Sequence, residues 1–478
     1  MSLSNNNEKL IQDSAEPPGW DLILRLEAGR KDLGQSLSTK LATTLRLTVL
    51  TVYRQLLLVI ITANLVGVLV VAIRSESITN PSLNSLATVG IANLTAAVVV
   101  RQDYMVNVLF ATCWNVSHTA PLGVRQRLAR VYENGGVHSG CAIGATLWTV
   151  AFWGFLVRDA LQKTWRSAVI LGTSLVLLIL LLIMIVGALP PIRRRHHNVF
   201  EITHRLGGWA CILLYWPTLL LSLQEQADSS VSNGRPFALV VMQAPAFWML
   251  LLITGNVIYP WILLRRVPVI EVDHLSDHAV RLYFSHKERI PAFYVFAISD
   301  APLHEWHSFA AVPDFDDRKG GAISCIVSKA GDWTAGTIRN PLASYYMRGV
   351  HKAGVLGMAK VFRSVILMAT GSGIGPCLSV FGQMPDTKVR LIWSAPAPIS
   401  TFGKNIYTSV LQCDPNAVIF DTRSIDGSRP NLVQQALSLY HSENAEAVFF
   451  ISNQSLTKKV VDALASKDVP VFAPVFDS

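Results

Sequence analysis

The rhythm of hydrophobic and polar positions changes twice along the chain. Up to about Leu264 long apolar runs alternate with short polar loops. From there to about Phe362 the alternation has a period of two, and beyond Phe362 short apolar runs are separated by helix-length segments. The first region holds six long runs: Thr51–Ile73, Leu83–Val100, Val137–Val157, Ser167–Leu189, His204–Leu223 and Gln243–Leu264. Each has roughly 18–23 residues, enough at ~1.5 Å per residue for the ~30 Å core of a bilayer. The second run is the least regular, because apolar character resumes after Arg101 and Asp103 (YMVNVLFATCW), a stretch read as an interfacial helix. Period-two alternation over Val267–Val272, His278–Ser285, Ala292–Ser299 and Gly321–Lys329 predicts antiparallel strands of a small barrel. Ser364–Ala369, Lys388–Ser394, Ala417–Asp421 and Ala447–Ser452 read as buried strands between helices, the pattern of a parallel sheet. The expected architecture is an α-helical membrane domain of about six transmembrane helices, an antiparallel β-barrel domain and an α/β Rossmann-like domain. The corresponding boundaries are 1–50 for a cytosolic N-terminal segment, then 51–264, 265–357 and 358–478.

Composition supports the membrane reading: the chain is 51% hydrophobic and only 15% charged. Its net charge of +9 does not require nucleic acid, since much of it lies in loops between apolar runs. With the N-terminus inside, the inner loops carry nine arginines (Arg101, Arg125, Arg127, Arg130, Arg193, Arg194, Arg195, Arg265, Arg266). The outer loops carry five basic residues (Arg74, Arg158, Lys163, Arg166, Arg235). That asymmetry predicts a multi-pass protein whose C-terminal half is cytosolic. The first residues are polar and do not read as a secretory signal; Trp20–Leu26 is either one amphipathic turn or part of a loose tail. The six cysteines are scattered without a CxxC pair, which predicts neither a disulfide framework nor a zinc site.

The densest chemistry lies in Val365–Ser379, VILMATGSGIGPCLS: an apolar strand, a glycine turn and a helix start. Gly371, Gly373 and Gly375 permit close backbone approach to a ligand, and Ser372, Ile374 and Pro376 complete the turn. A helix N-terminus beyond it would favour a phosphate. In the apolar half, His138 and His204 open the third and fifth runs at a similar inner depth. Such residues either clamp a haem iron axially or bond headgroups and loop carbonyls at the interface.

The Gly-Ser-Gly-Ile-Gly-Pro turn resembles that of the ferredoxin–NADP reductase superfamily, especially its membrane-bound ferric reductase and NADPH oxidase branch. The resemblance runs from about Arg101 to the C-terminus and looks closest to fungal transmembrane ferric-reductase-like proteins of development and secondary metabolism. Asn198–Trp216 (NVFEITHRLGGWACILLYW) is similar to a haem-ligating helix of that family, and Val137–Trp148 stands where its partner belongs. By that resemblance His138 and His204 hold a b-type haem. Relatives carry a second pair of histidines about four turns on; here those positions are Ala151 and Phe152, Pro217 and Thr218, so the resemblance leaves room for one haem at most. His307-Ser308-Phe309-Ala310 resembles the family's His-Pro-Phe-Thr motif, which implies that His307 meets the FAD pyrophosphate and Phe309 packs on the isoalloxazine. Ala310 lacks the hydroxyl that bonds flavin N5 in relatives. Lys329–Thr337 resembles a Gly-x-Trp-Thr segment, implying phosphate contacts from Gly331, Trp333 and Thr334. Asp426–Asn431 resembles a Gly-Arg-Pro turn, making Arg429 the candidate for an NADP 2′-phosphate. Phe449–Asn453 stands for a Cys-Gly-Pro turn: Ile451 replaces the cysteine, and Ser452 is left beside the transferred hydride. The resemblance also implies that Phe472 or Phe476, near the C-terminus, covers the flavin face as a terminal aromatic does in relatives.

These readings describe a membrane NAD(P)H-dependent flavoprotein oxidoreductase that passes electrons through FAD, and through an inner haem, to an unidentified acceptor. The competing reading is a sensor or scaffold that binds FAD or nucleotide without steady turnover. Ala310, Ile451 and the missing second histidine pair favour it; the glycine turn and the paired inner histidines oppose it. The implied partners are the lipid bilayer, NADPH or NADH, and the acceptor; nucleic acid is not among them.

Overall fold

The computed structural model describes residues 51–77, 83–161, 165–228, 235–285, 290, 293–312, 322–380, 384–423 and 430–474. The described residues from Val52 on group into one compact unit. Arg429, Phe476 and the segment with Trp20–Leu26 lie outside the described residues.

The first part is helical: α1 (Val52–Ser77), α2 (Leu83–Val99), α3 (Asp103–Trp114), α4 (Leu122–Leu128), α5 (Gly135–Ala160), α6 (Trp165–Ala188), α7 (Pro190–Arg195), α8 (His197–Asp228), α9 (Phe237–Gln243) and α10 (Pro245–Ile262). Among the described residues five helices, α1, α5, α6, α8 and α10, are long and apolar enough to cross a membrane. A sixth is counted only if α2 and α3, bent by 70° at their junction, are one span. The outward faces of these helices are apolar, as at Val59, Ile73, Ile183 and Leu213, while Leu177, Tyr215, Leu219 and Leu250 pack inward. Small residues bring α1 and α5 together: a β-carbon at Gly136 would lie 2.1 Å from the Tyr53 carbonyl oxygen, and one at Gly140 2.9 Å from Ile60 Cβ. Trp148 Nε1 donates to Asn64 Oδ1 across this contact at 2.8 Å.

The stretch expected to be an interfacial helix is a separate helix with one face packed on protein. Helix α3 turns away from α2 and buries Phe110 and Cys113 in the same cluster as Val365, Leu367 and Phe449. Asn107 ties it down, donating to the His351 carbonyl (2.8 Å) and accepting from the Ala353 N–H (2.8 Å). Apolar periodicity marks a face that leaves water without saying whether lipid or protein covers it.

Seven strands follow in one sheet: β1 (Arg265–Ser276), β2 (Ala279–Phe284), β3 (Tyr294–Ser299), β4 (His307–Ala310), β5 (Ile323–Ser328), β6 (Ser344–Met347) and β7 (Lys352–Ala353), with α11 (Asp332–Arg339) between β5 and β6. Their order is β4-β3-β6-β1-β2-β5, with β7 on β3, and every pairing is antiparallel. A bridge between Val312 and Ser324 joins the chain just past β4 to the other edge and brings the sheet close to a barrel. Phe284, Phe296, Ile298 and Tyr345 fill its interior.

The last sheet contains β8 (Ser364–Thr370), β9 (Lys388–Ala395), β10 (Val418–Asp421), β11 (Ala447–Ile451) and β12 (Val471–Phe472). It is parallel throughout, in the order β10-β9-β8-β11-β12. Helices α12 (Ile374–Ser379), α13 (Pro398–Cys413), α14 (Leu432–Ser442) and α15 (Gln454–Ala465) connect the strands. Strand β8 is buried on both faces: Val365, Leu367 and Ala369 join the cluster that includes α3, and Ile366 and Met368 join another with Leu432 and Leu464. Phe472 stacks on Phe449 (5.0 Å between centroids) and is fully buried, so it is a core residue and not the flavin cover considered for it.

Candidate functional site

The strand order reverses between β8, whose successor β9 lies on one side, and β11 on the other. In a parallel sheet such a reversal opens a crevice at the carboxyl ends of the two strands, where ligands bind. The glycine turn leaves β8 at this point. Gly371 has φ +54°, the left-handed region, and its carbonyl accepts from Trp393 Nε1 at 2.9 Å. A β-carbon at Gly373 would lie 2.6 Å from the carbonyl oxygen of Ile451, so only glycine lets the turn sit against the end of β11. Across the crevice the hydroxyls of Thr370 and Ser452 are 2.6 Å apart. Ser452 is therefore where a group reaching the switch point would meet a hydroxyl, while Ile451 is buried beneath it.

The helix start after the turn differs from the expectation. Helix α12 is six residues long and has no side-chain cap, and its Ile374, Gly375 and Cys377 are buried. A helix this short adds little dipole, so the anion-binding capacity at the crevice rests on the turn's backbone and on the hydroxyls.

The second group of candidates forms on the barrel. His307 and Phe309 sit two apart on β4 and project to the same side, whereas Ser308 is exposed on the other. Trp333, from the first turn of α11, stacks on both: ring centroids are 4.1 Å from His307 and 6.2 Å from Phe309, with interplanar angles of 24° and 28°. His307 Nε2 is buried without a hydrogen bond; its nearest carboxylate is Glu305, 3.6 Å away. Burial lowers the pKa of this imidazole, and the charge of Glu305 offsets that only in part. The Thr334 hydroxyl is used differently from the phosphate contact expected of it. It accepts from the N–H groups of Ala330 and Gly331 and donates to the Gly331 carbonyl, all at 2.9 Å, closing the start of α11. Gly331 is open, with nothing near its would-be β-carbon.

The two groups are physically joined. Ser328, the last residue of β5, donates its hydroxyl to Ser372 in the glycine turn at 2.6 Å. The chain then runs through Gly331 directly into Trp333. Ser328, Thr370 and Trp393 were not singled out from the sequence. Thr370 and Trp393 are brought to the site by the pairing of β8 with β11 and β9, and Ser328 by the contact of the antiparallel sheet with the turn, neither of which spacing along the chain reveals.

The third group is in the helices. His138 and His204 have ring centroids 6.0 Å apart. That separation is compatible with both rings bonding one metal ion at about 2 Å. His138 Nδ1 is 2.9 Å from the Ala97 carbonyl oxygen, which leaves Nε2 as its free nitrogen; His204 Nδ1 is buried without a hydrogen bond. Further along the same helices, Phe152 and Thr218 line a cavity of about 30 Å³ together with Trp148 and Tyr215, room for about two waters.

Comparison with known proteins adds a family match over residues 355–478, to the C-terminal domain of adenylate-forming reductase 03009. Two curated relatives come from Coprinopsis cinerea. Adenylate-forming reductase 03009 is 35% identical over 439 residues, which cover 92% of this chain and 41% of the relative. Adenylate-forming reductase 06235 is 34% identical over 461 residues, covering 96% and 43%. The chain thus spans about two fifths of the length of the relatives it matches. Among solved structures, a ferredoxin–NADP+ reductase from Neisseria gonorrhoeae with bound FAD and NADP aligns over 45% of this chain and 98% of that one, at 15% identity and a TM-score of 0.35. A flavohemoglobin from Malassezia yamatoensis with FAD and haem aligns over 80% of this chain and 98% of that one, at 10% identity and a TM-score of 0.39.

Proposed function

We propose that the chain is a membrane-embedded, NAD(P)H-dependent flavoprotein reductase, with the nucleotide in the β8/β11 crevice and FAD against the His307–Trp333–Phe309 stack. One observation carries the reading: the glycine turn at the switch point is hydrogen-bonded through Ser372 to the end of β5, and β5 leads into the aromatic stack. Nucleotide and flavin sites are thereby adjacent in the fold. The stack fits a flavin for reasons of its own. It offers ring faces, a buried imidazole nitrogen awaiting a partner, and an open glycine beside the α11 amides. His138 and His204 fit a single haem by their spacing and by the unbonded His204 nitrogen. When bound, FAD supplies hydride acceptance and one-electron donation, and a haem supplies a one-electron acceptor.

The chain's own residues hold and orient. Gly371 and Gly373 keep the turn low enough for close approach, Ser452 and Thr370 present hydroxyls at the mouth of the crevice, and Trp333 sets the plane of the stack. His307, kept neutral by burial, contributes a hydrogen bond without a fixed charge. The apolar outer faces of five helices and the excess of inner-loop arginines support a membrane location with the two sheets on the cytosolic side. Arg429 retains its proposed role toward an NADP 2′-phosphate and Phe476 that of the flavin cover. The relatives' name points to a reductase within a longer polypeptide, and the acceptor of this segment is left as an electron acceptor reached from the inner face.

A catalytically silent sensor is favoured by a specific feature: Ala310 offers no hydroxyl to the flavin, and a buried Ile451 stands at the end of β11. Anaerobic addition of NADPH, then NADH, to the detergent-purified, flavin-loaded protein separates the readings. The reductase loses its oxidised flavin band with at least one nucleotide; the sensor keeps it with both.

A further inference from the structure

Helix α8 carries His204 and, at the next position, Arg205, whose side chain is about four-fifths shielded from solvent. Its guanidinium leaves the helix for the barrel. Nη1 donates to the carbonyl of His304 at 3.2 Å and Nη2 to that of Leu303 at 2.8 Å. Glu201, one turn earlier, lies 3.9 Å from Nη1 and holds the charge in place. The segment gripped this way is the loop between β3 and β4, and His307 follows within three residues.

That loop is otherwise bonded mainly to itself. Ser299 donates to the Ala301 carbonyl (2.7 Å), Asp300 pairs with His304 (3.1 Å), and Trp306 donates to the Pro302 carbonyl (3.2 Å). The Arg348 guanidinium covers the Trp306 ring, 4.8 Å from its centroid. The loop is therefore a preformed unit, and Arg205 is its hydrogen-bonded link to α8. Two carbonyls taken by one planar cation is a geometry that a lysine ammonium reproduces poorly.

We infer that Arg205 is a positioning residue: it fixes the His307–Trp333–Phe309 stack against the end of α8 and so sets how flavin is held relative to the helix bundle. This rests on the flavin reading of the stack. The helix that supplies His204 then also carries the clamp on the flavin loop, at the adjacent residue.

The test uses the full chain in detergent, with Arg205→Met and Arg205→Lys beside the parent protein. Readouts are FAD affinity, the visible circular dichroism of bound FAD, and hydrogen exchange at the amides of 303–310. The expected result for Arg205→Met is faster exchange in that segment, an altered dichroic band and FAD binding weakened about tenfold or more, the scale of a lost charged hydrogen bond. Arg205→Lys should fall between the two, and nucleotide-dependent protection of Gly371–Gly375 should be unchanged. If Arg205→Met does not fold, the Arg205→Lys dichroism and exchange decide. Parent-like dichroism and affinity in a folded variant overturn the positioning role while leaving the flavin reading intact. A parent protein that takes up no FAD overturns the flavin reading and this role with it.

Discussion

Strands β8 and β11 meet very different surroundings at their two ends. At the amino-terminal end the groups are charged and paired. Arg125 of α4 forms a bidentate bridge to Glu446 (2.6 and 2.8 Å) with its side chain 4% exposed, and the Arg363 N–H adds a third bond to the same carboxylate at 2.7 Å. Lys388 and Arg390 both pair with Glu443, and Arg390 also bonds Asp414. At the carboxyl end Thr370, Ser372 and Ser452 present hydroxyls beside bare glycine backbone. One end has its charges satisfied and serves to hold the sheet to the helices. The other keeps neutral donors in an open turn with no carboxylate of its own against a phosphate-bearing ligand. On the proposed function the same strands divide attachment from binding, and mutations at the two ends should then separate stability from nucleotide response.

The largest effect is expected at the attachment end. Glu446→Ala leaves Arg125 buried and uncompensated, and should cost about 3–5 kcal/mol in denaturant unfolding of the two sheets. At a temperature where the variant stays folded, its KM for NAD(P)H should match the parent's. An equal loss of nucleotide affinity would break the division.

Gly373→Ala comes next. The added carbon meets backbone on β11, which cannot step aside like a flexible side chain, so the turn must move. A stability loss of about 1–3 kcal/mol is expected, with nucleotide binding weakened far more than in Glu446→Ala. Calorimetric binding of NADPH compares the two directly.

Ser452→Ala removes the partner of Thr370 at the crevice mouth. About 0.5–1.5 kcal/mol is at stake, equivalent to a few-fold rise in KM with little change in unfolding midpoint.

The smallest effect is a pH dependence confined to the attachment end. Burial alone would raise the Glu446 carboxyl, but hydrogen bonds from Arg125 and the Arg363 N–H outweigh it and hold the pKa below the usual carboxylate value. A lowered folded pKa means that stabilisation is complete above the unfolded value and is lost as pH falls through the folded one. Acid unfolding curves should therefore be less steep in Glu446→Gln, while the pH dependence of nucleotide binding stays that of the parent.

Much of this division was legible in the sequence, and for identifiable reasons. The strand–glycine–helix rhythm around Gly371 and the run ending at Ser452 are local signals, and both lie at the crevice. His307, Phe309 and Trp333 meet because alternation places the first two on one face of β4. The attachment end was not legible. Arg125 and Glu446 are 321 positions apart, and Arg125 was counted only as one inner-loop charge among nine. The protein-facing side of α3 was not legible because apolarity does not name its cover, and the resemblance that gave Thr334 a phosphate could not show that its hydroxyl closes the start of α11. Arg205 carries no local signal of its role, because the carbonyls it grips lie 98 and 99 positions further on.

The central claim is that the crevice and the aromatic stack form one redox unit, and anaerobic titration of the FAD-loaded, detergent-purified chain with NADPH and NADH tests it most directly. The account predicts that at least one nucleotide bleaches the flavin in the parent, that Gly373→Ala requires far more of it, and that Glu446→Ala does not. Flavin that stays oxidised in the parent under both nucleotides would contradict the account and leave a binding protein without turnover.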